Sequence, residues 1–324
     1  MSVHVILYAK IQPIPFVIKV QEPEFKWQFF LPQYWLIWLG VICLYIISWL
    51  PLIALRQLAK VFAWLLTKLV KKRVNVARQN LALMWPEMPE SEREQLLKQH
   101  LQCAGMAIFE TALGWWAPAW RIKRLGVVEG FEHVESILAQ GKGVFGLALH
   151  NMNLEIACRI LGYTYPSIAF YRKHNNPLLD YLQYKGRNRS NKYMIHKRNA
   201  KALIEAMDNG ELCLYLPDQD YGRAQSIFVP FGGVQDTATT SATMMFARRA
   251  DCIPLLLTSQ YTKNGYKVKF YPPIPELADK EDVVALTELN QQIETLILEQ
   301  PESYLWMHKR FKTRPSEDQP SLYV

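Results

Sequence analysis

The feature that most constrains this chain is a stretch of 29 residues without a charged side chain, from Trp27 to Leu55. About 20 consecutive apolar residues are enough for a helix to cross the hydrocarbon core of a bilayer. Pro32 and Pro51 interrupt the stretch, so a continuous helix is predicted between them. We therefore expect a transmembrane helix or a deeply inserted segment. The alternatives are a buried hairpin and an amphipathic segment that lies on one leaflet.

A region of positive charge follows the uncharged stretch. Seven Lys and Arg residues, and no acidic residue, occur between Leu55 and Glu87. Positive charge next to a membrane segment marks its cytoplasmic side, so the downstream chain is expected on that side. Residues 57–70 are apolar with interspersed lysines, which is typical of a helix lying on lipid headgroups. The apolar stretch begins too late in the chain for a cleaved signal peptide.

The whole chain is basic, with a formal net charge of +8 over 324 residues. Its partners are therefore expected to be anionic, such as a membrane surface or a phosphorylated substrate. Nucleic acid is not expected, because the Lys and Arg clusters adjoin the apolar stretch or lie beside acids, and no known DNA- or RNA-binding motif is present. The five cysteines are widely spaced and odd in number, which argues against a disulfide framework and a zinc knuckle. No metal site is predicted.

Beyond about residue 126, short apolar runs alternate with helical patterns. Strands are predicted at 143–149, 165–171, 212–217, 253–259 and, with the alternating polarity of an edge strand, 266–272. Helices are predicted at 89–113, 177–185, 199–208, 238–250 and 281–298. This alternation predicts an α/β fold, a layered and largely parallel or mixed sheet with helices on both faces, in addition to the N-terminal membrane helix.

One strand end carries a candidate general base. Sheets of this kind bind ligands where loops leave the carboxyl ends of strands. His150 follows the strand at 143–149, and Glu155 comes five residues later. If His150 lies in the turn before a helix and Glu155 in its first turns, the carboxylate can hold one imidazole nitrogen while the other removes a proton. A histidine in so short a pattern is more often structural.

Other polar and apolar side chains extend the candidate site. Cations near the next strand end suit contacts to a phosphate or an oxyanion, although a solvated basic face on anionic lipid is the alternative. These cations are Arg172, Arg187, Arg189 and Lys192. Asp218 follows the strand at 212–217 and is a candidate orienting group, with an ordinary Asx turn as the alternative. The segment 228–233 is apolar and rich in turn residues, and it could line a chain-binding groove or cap a helix.

Several familiar catalytic motifs do not occur in the sequence. The chain contains no G-x-S-x-G elbow, P-loop, dinucleotide-binding glycine motif or H-E-x-x-H pair. No Ser or Cys is arranged as a nucleophile. A histidine base without a protein nucleophile suggests direct attack by a hydroxyl group of the substrate, with no cofactor.

Five motifs together resemble a known family. In chain order they are HNMNLE (150–155), FYRKHNNPLLDYLQYKGRNRSNK (170–192), LPDQDYG (216–222), FVPFGG (228–233) and YLWMHKRFKTRP (304–315). The set resembles the late acyltransferases of lipid A biosynthesis, the lauroyl/myristoyl transferases of Gram-negative bacteria, over about residues 27–320. The resemblance implies a glycerolipid-acyltransferase-like fold with a hydrophobic groove. Candidates for this acyl groove are Met152, Phe228, Phe231, Met244 and Met245. It also implies transfer of a fatty acyl chain from acyl carrier protein to a hydroxyl on a hydroxyacyl chain of a lipid A precursor.

The resemblance also assigns residues and a location. It implies a catalytic dyad of His150 and Glu155, with Arg187 and Asp218 as further important residues. It implies the bacterial inner membrane, with the catalytic domain on the cytoplasmic side. We accordingly divide the chain into an unassigned extension, a membrane anchor with an interfacial helix, and an acyltransferase domain. Their ranges are 1–26, 27–78 and 79–324.

Three alternatives to this function remain open at the level of sequence. A glycerophospholipid or glycolipid acyltransferase would use the same dyad on another hydroxyl group. A membrane-anchored lipid hydrolase would use His150 to activate water. A membrane adaptor without enzymatic activity would use only the basic face, and its function would survive loss of that histidine.

Overall fold

The computed structural model describes residues 22–323, so the extension predicted at 1–26 lies mostly outside the described residues. The strands are β1 (Gly126–Glu129), β2 (Gly143–Ala148), β3 (Ser167–Tyr171), β4 (Asn191–His196), β5 (Leu212–Tyr215), β6 (Ser226–Phe231), β7 (Val234–Thr240), β8 (Cys252–Thr262) and β9 (Gly265–Pro273). Seven of them form a mixed sheet in the order β1-β9-β8-β2-β5-β3-β4, and β6 and β7 form a separate antiparallel hairpin. Within the sheet only β8 and β9 run antiparallel to each other.

Helices connect and cover these strands. They are α1 (Trp35–Ser48), α2 (Leu52–Leu69), α3 (Lys71–Met84), α4 (Glu90–Trp116), α5 (Ala119–Leu125), α6 (Phe131–Ala139), α7 (Leu154–Thr164), α8 (Pro177–Asn188), α9 (Ala200–Asp208), α10 (Ala242–Arg249) and α11 (Asp282–Glu299). The predicted α/β class, the mixed sheet and the five predicted strands are confirmed.

The sheet is covered on both faces, as predicted, and β2 illustrates why. Its side chains alternate, since successive residues of a strand point to opposite faces. Phe145 and Leu147 join a core formed with α3, α9, α10 and α11. Val144 and Ala148 join a second core formed with α2, α5, α6 and α7. Because both faces of β2 are buried, its sequence is apolar throughout, which is why it is recognisable without an alternating pattern.

Three details of the predicted secondary structure are wrong. Residues 266–272 belong to β9, which is not an edge strand because β1 pairs along its outer side. The helix predicted at 238–250 begins only with α10, since the preceding threonines form the end of β7. The strands β1, β4, β6 and β7 were not predicted. β1 is short, β4 and β7 are rich in polar residues, and the apolar run of β6 contains Pro230, which is typical of a turn or an edge strand.

The helix predicted between Pro32 and Pro51 is present, but it is shorter than the uncharged stretch. This helix, α1, has 14 residues, and α2 begins after Pro51, whose ring fixes its backbone and removes its amide hydrogen. Arg121 donates hydrogen bonds to the carbonyl oxygens of Ser48 and Leu50, which fixes the break. No helix within residues 22–323 combines the length and the apolar character needed to cross a bilayer, so the predicted transmembrane helix is not found.

The second of these helices packs on α4, which has 27 residues and contacts both cores. Leu55, Ala59 and Ala63 of α2 are buried in this contact. Gly105 allows the two helices to approach closely, because a β-carbon at this position would lie 2.5 Å from the carbonyl oxygen of Ala59. The N-terminal helices are therefore attached to the sheet domain through α4.

The same helix carries a fully buried carboxyl group, Glu110, and we predict that it makes stability depend on pH. Burial raises the pKa of Glu110 to about 8, from an ordinary value of 4.5, although the Tyr261 hydroxyl donates a hydrogen bond to it. Between those two pH values the folded protein holds one more proton than the unfolded chain. The raised pKa therefore contributes stability that is complete below pH 4.5 and is lost as pH rises towards 8.

The expected result for Glu110→Gln is the loss of this dependence. In this window the free energy of unfolding of the wild type should fall relative to that of the variant by about 1.4 kcal/mol per pH unit. Chemical denaturation between pH 5 and 8 measures it. Glu92→Gln, an exposed position on the same helix, is the control and should leave the wild-type slope intact. Equal slopes in the wild type and Glu110→Gln would contradict the assignment.

Candidate active site

The order of the strands brings His150 and Asp218 together. β2 and β5 are adjacent and parallel, although β3 and β4 lie between them in the sequence. Their register pairs Leu147 with Tyr215, and three residues further along both chains the same offset pairs His150 with Asp218. Both residues therefore leave the carboxyl edge of the sheet at the same point, where ligands bind in folds of this type.

Both oxygens of the Asp218 carboxylate bond to His150. One oxygen lies 2.6 Å from the ring Nδ1, and the other accepts the backbone N–H of the same residue at 2.8 Å. The Asp218 side chain is fully buried, whereas the His150 ring is 22% exposed. Burial on its own would raise the pKa of Asp218, but the charge and hydrogen bonds of His150 outweigh burial and leave that pKa below its ordinary value. The ring is thus held through Nδ1, and its Nε2 has no hydrogen-bond partner among residues 22–323.

A carboxylate that holds one imidazole nitrogen prepares the other to accept a proton. The hydrogen bond fixes the orientation and the tautomer of the ring, and the negative charge stabilises the imidazolium that forms. A base held in this way can take a proton from a hydroxyl group or from water. The chemistry predicted for His150 is therefore supported by the geometry, with Asp218 as its partner.

The C-terminal segment holds this pair from one side. The carbonyl oxygen of His150 accepts the N–H of Leu305 at 2.9 Å, and the N–H of Met152 donates to Ser303 at 2.7 Å. The hydroxyl of Tyr304 donates to the backbone carbonyl of Asp218 at 3.0 Å. These contacts join residues more than 80 positions apart in the sequence, so secondary-structure patterns did not reveal them. The only sequence signal was that Tyr304 and Leu305 begin the motif 304–315.

Two asparagines fix the turn that follows the histidine. Asn151 donates to the carbonyl of Ser259 at 2.7 Å, and Asn153 accepts the hydroxyl hydrogen of the same serine at 2.5 Å. Ser259 lies in β8, the neighbour of β2 on the side opposite to β5. The turn is therefore tied to both neighbouring strands, which explains why the motif HNMNLE contains two amide side chains.

Glu155 does not contact the imidazole, and on this point the prediction of a His150–Glu155 pair is wrong. The carboxylate of Glu155 accepts hydrogen bonds from Nε of Arg187 at 3.0 and 3.3 Å, from Nη2 of the same arginine, and from the indole N–H of Trp115 at 3.2 Å. Its position in the first turn of α7 is the predicted one. However, a non-local cation and the indole occupy the carboxylate, and the buried Asp218 occupies the ring nitrogen.

The Glu155–Arg187 ion pair is half-buried between α7 and α8. Burial lowers the pKa of Arg187, but the adjacent carboxylate more than compensates and leaves it raised. Gly186 makes the arrangement possible, because a β-carbon there would lie 2.3 Å from Cγ of the Trp115 ring. The glycine in the GRNRSN motif therefore serves close packing of the indole that holds Glu155.

The remaining predicted cations are dispersed. Arg172 is exposed at the carboxyl end of β3, on the same edge as His150. Arg189 donates to the carbonyl oxygens of Trp115 and Ala117 at the C-terminus of α4. Lys192 is wrongly predicted for this site. It lies at the amino end of β4, on the opposite edge of the sheet, and is paired with Glu211, which precedes β5.

The predicted acyl-groove residues are mostly core residues. Phe231 and Met244 are buried in the core that includes α11, and Met245 is partly buried against the same core. Phe228 is partly exposed on β6, and Met152 is partly exposed in the turn after His150. An apolar cavity of only about 20 Å³ lies beneath α7, too small for an acyl chain. The five side chains therefore do not form one open groove in this conformation.

A second histidine near the site was not predicted. Nε2 of His308 accepts the N–H of Asp220 at 3.4 Å. Burial lowers the pKa of His308, and the positive charge of the nearby His150 lowers it further. Asn80 holds the backbone carbonyl of His308 from α3. This histidine therefore borders the candidate active site.

Comparisons with known proteins agree with the motifs. Residues 22–313 match the model of a family described as bacterial lipid A biosynthesis acyltransferase. A lipid A biosynthesis acyltransferase of Haemophilus influenzae is 39% identical over 93% of this chain and 98% of its own length. The lipid A biosynthesis lauroyltransferase of Escherichia coli is 37% identical over 93% and 99%. The palmitoleoyltransferase of the same organism is 36% identical over 93% and 98%.

Proposed function

Because the chain belongs to the bacterial lipid A biosynthesis acyltransferase family, we propose that it transfers a fatty acyl chain from an acyl carrier protein thioester to a hydroxyl group on a hydroxyacyl chain of a lipid A precursor. The family membership makes the chain an acyltransferase. The His150–Asp218 pair at the carboxyl edge of the sheet is the observation that carries the proposed chemistry. The donor, the acceptor hydroxyl and the roles of individual residues are proposals.

In the proposed mechanism Nε2 of His150 removes the proton of the acceptor hydroxyl. The hydroxyl oxygen attacks the thioester carbonyl carbon, and the tetrahedral intermediate collapses with cleavage of the carbon–sulfur bond. The imidazolium returns its proton to the thiolate that leaves, so the ring ends as it began. Asp218 stabilises the imidazolium between these steps. The lowered pKa of Asp218 agrees with this role, because it keeps the carboxylate ionised. The mechanism uses neither a metal nor a covalent acyl-enzyme.

Arg187 is a proposed electrostatic and positioning residue. Its Nε and Nη2 atoms are bonded to Glu155, so Nη1 is the guanidinium nitrogen available to a substrate oxygen. A cation held beside the first turn of α7, five residues after His150, would favour the oxyanion of the intermediate or a phosphate group of the acceptor. Glu155 acts through this arginine by holding it in place. Arg172, exposed on the same edge, is a further candidate for contact with the anionic acceptor.

The N-terminal helices are the proposed membrane contact. Most of the exposed large apolar side chains in the described chain lie within residues 25–69, including Trp35, Leu36 and Trp64. An apolar surface of this extent on a protein usually marks an interaction with a membrane or a partner. Aromatic side chains next to lysines are typical of segments that enter the headgroup region. We propose that this surface lies in the cytoplasmic leaflet of the bacterial inner membrane.

The test of the function is a reconstituted transfer assay. Purified protein in detergent is incubated with radiolabelled lauroyl or myristoyl acyl carrier protein and a lipid A precursor, and mass spectrometry identifies the product. The expected result is an acceptor heavier by one acyl residue. Lysophosphatidic acid serves as the competing acceptor, and a reaction without acceptor tests for hydrolysis. Preferential acylation of lysophosphatidic acid, or release of free fatty acid alone, would contradict the proposal.

A further inference from the structure

A groove separate from the catalytic edge is formed by α2, α3 and α4. Its volume is about 950 Å³, within the range of small-molecule sites. Each helix contributes residues spaced three, four and seven positions apart, such as Lys60, Ala63, Trp64 and Thr67 in α2. This spacing puts them on one face of each helix. We call this the α2–α4 groove.

The floor of the α2–α4 groove is apolar. Val74, Leu97 and Leu101 line it and are buried in the adjoining core. Trp64 also lines the groove, and its side chain is 60% exposed. The groove therefore opens next to the exposed apolar surface of residues 25–69, and an alkyl chain could pass from that surface to the floor without crossing water.

The rim of the α2–α4 groove is positively charged. Lys60, Lys71 and Lys98 are exposed, and none of them forms an ion pair with another described residue. The groove has one acidic side chain, Glu94, which is paired with Arg78. Three ammonium groups around an apolar floor match a ligand with an anionic head and an alkyl tail.

We propose that the α2–α4 groove binds an anionic phospholipid of the bilayer, with its phosphate on the three lysines and one acyl tail over the apolar floor. A bilayer lipid is favoured over an acidic protein helix because the groove adjoins the proposed membrane surface, and because its apolar floor suits an alkyl chain. The N-terminal residues 1–21 are disfavoured as occupants, because they contain Lys10 and Lys19 and no acidic residue. The inference does not depend on the acyl-transfer chemistry.

The experiment uses the full-length protein and dihexanoylphosphatidylglycerol, a short lipid that stays monomeric at the concentrations used. Dihexanoylphosphatidylcholine is the zwitterionic comparison, and calorimetric titration measures the affinities. The variant Lys60→Gln/Lys71→Gln/Lys98→Gln should bind the anionic lipid at least about tenfold more weakly, as expected for losing three cations near a lipid phosphate. The matched control Lys197→Gln/Lys263→Gln/Lys312→Gln removes the same charge from exposed positions outside the groove and should retain wild-type affinity.

A second variant tests the apolar floor without changing charge. Thr67→Trp fills the groove from the partly exposed face of α2 and should weaken binding of the anionic lipid while leaving the lysines intact. Equal affinities for the two lipids, or equal losses in the groove and control variants, would overturn the proposal. It would also be overturned if the groove variants kept wild-type affinity for the lipid and instead lost binding of acyl carrier protein or raised KM for the lipid A precursor.

Discussion

Replacing His150 with alanine is expected to lower the rate of acyl transfer by about 10²- to 10⁴-fold, the usual contribution of a positioned general base. The substitution removes the only proton acceptor that Asp218 orients at the carboxyl edge of the sheet. Initial rates with labelled acyl carrier protein at saturating acceptor measure the effect. The loss should appear in kcat, since the ring acts on the reacting hydroxyl and contributes little to binding of the lipid.

The control for this prediction is His196→Ala. That histidine is exposed at the end of β4 and should keep wild-type turnover when replaced. Both proteins should show the wild-type circular dichroism spectrum, because the replaced rings lie at or near the surface. Turnover of His150→Ala within about threefold of the wild type would exclude the imidazole as the base and leave the proposed mechanism without its central group.

Replacing Asp218 with asparagine is expected to lower turnover by a similar factor, about 10²- to 10⁴-fold, with little change in the shape of the site. The amide can donate a hydrogen bond to Nδ1, which favours the tautomer that carries its proton on Nε2. In that tautomer Nε2 cannot accept a proton from the hydroxyl. The variant also loses the negative charge that stabilises the imidazolium. The expected signature is a large fall in kcat at an almost unchanged KM.

A double-mutant cycle separates Asp218 from Glu155 as the functional partner of the imidazole. His150→Ala/Asp218→Asn should be no slower than His150→Ala alone, because the carboxylate acts through the ring. Glu155→Gln should reduce turnover less than Asp218→Asn, since its contacts are to Arg187 and Trp115. The reverse ranking, with Asp218→Asn close to wild type and Glu155→Gln inactive, would refute the arrangement derived from the structure.

Much of the fold could be predicted from local patterns. The runs that become β2, β3, β5 and β8 are apolar because their strands lie between two layers of helices, and that burial is visible in the composition of each run. The run that becomes β9 was recognisable by its alternating polarity. The position of His150 directly after β2 follows from the same pattern. The five ordered motifs were specific enough to predict the family, and the comparisons confirm it.

Other features depended on contacts between distant segments. The pairing of His150 with Asp218 requires β2 and β5 to be neighbours. The residues of one strand do not indicate which other strand it pairs with. Glu155 was close to His150 in sequence, but its hydrogen bonds go to Arg187 and Trp115, 32 and 40 positions away. Proximity along the chain was therefore a poor guide to the partner of the imidazole.

In the N-terminal stretch too, some features followed from the sequence and others only from the folded structure. Its lack of charge predicted a transmembrane helix or a deeply inserted segment, whereas the described residues form two helices, α1 and α2, with exposed apolar side chains. Its length did not determine a membrane-spanning helix, because Pro51 and the contact of Arg121 with the backbone divide it into two helices. Hydrophobic periodicity is a local property and was readable from the residues alone. Strand order, side-chain partners and the α2–α4 groove arise from non-local packing, so only the folded chain determines them.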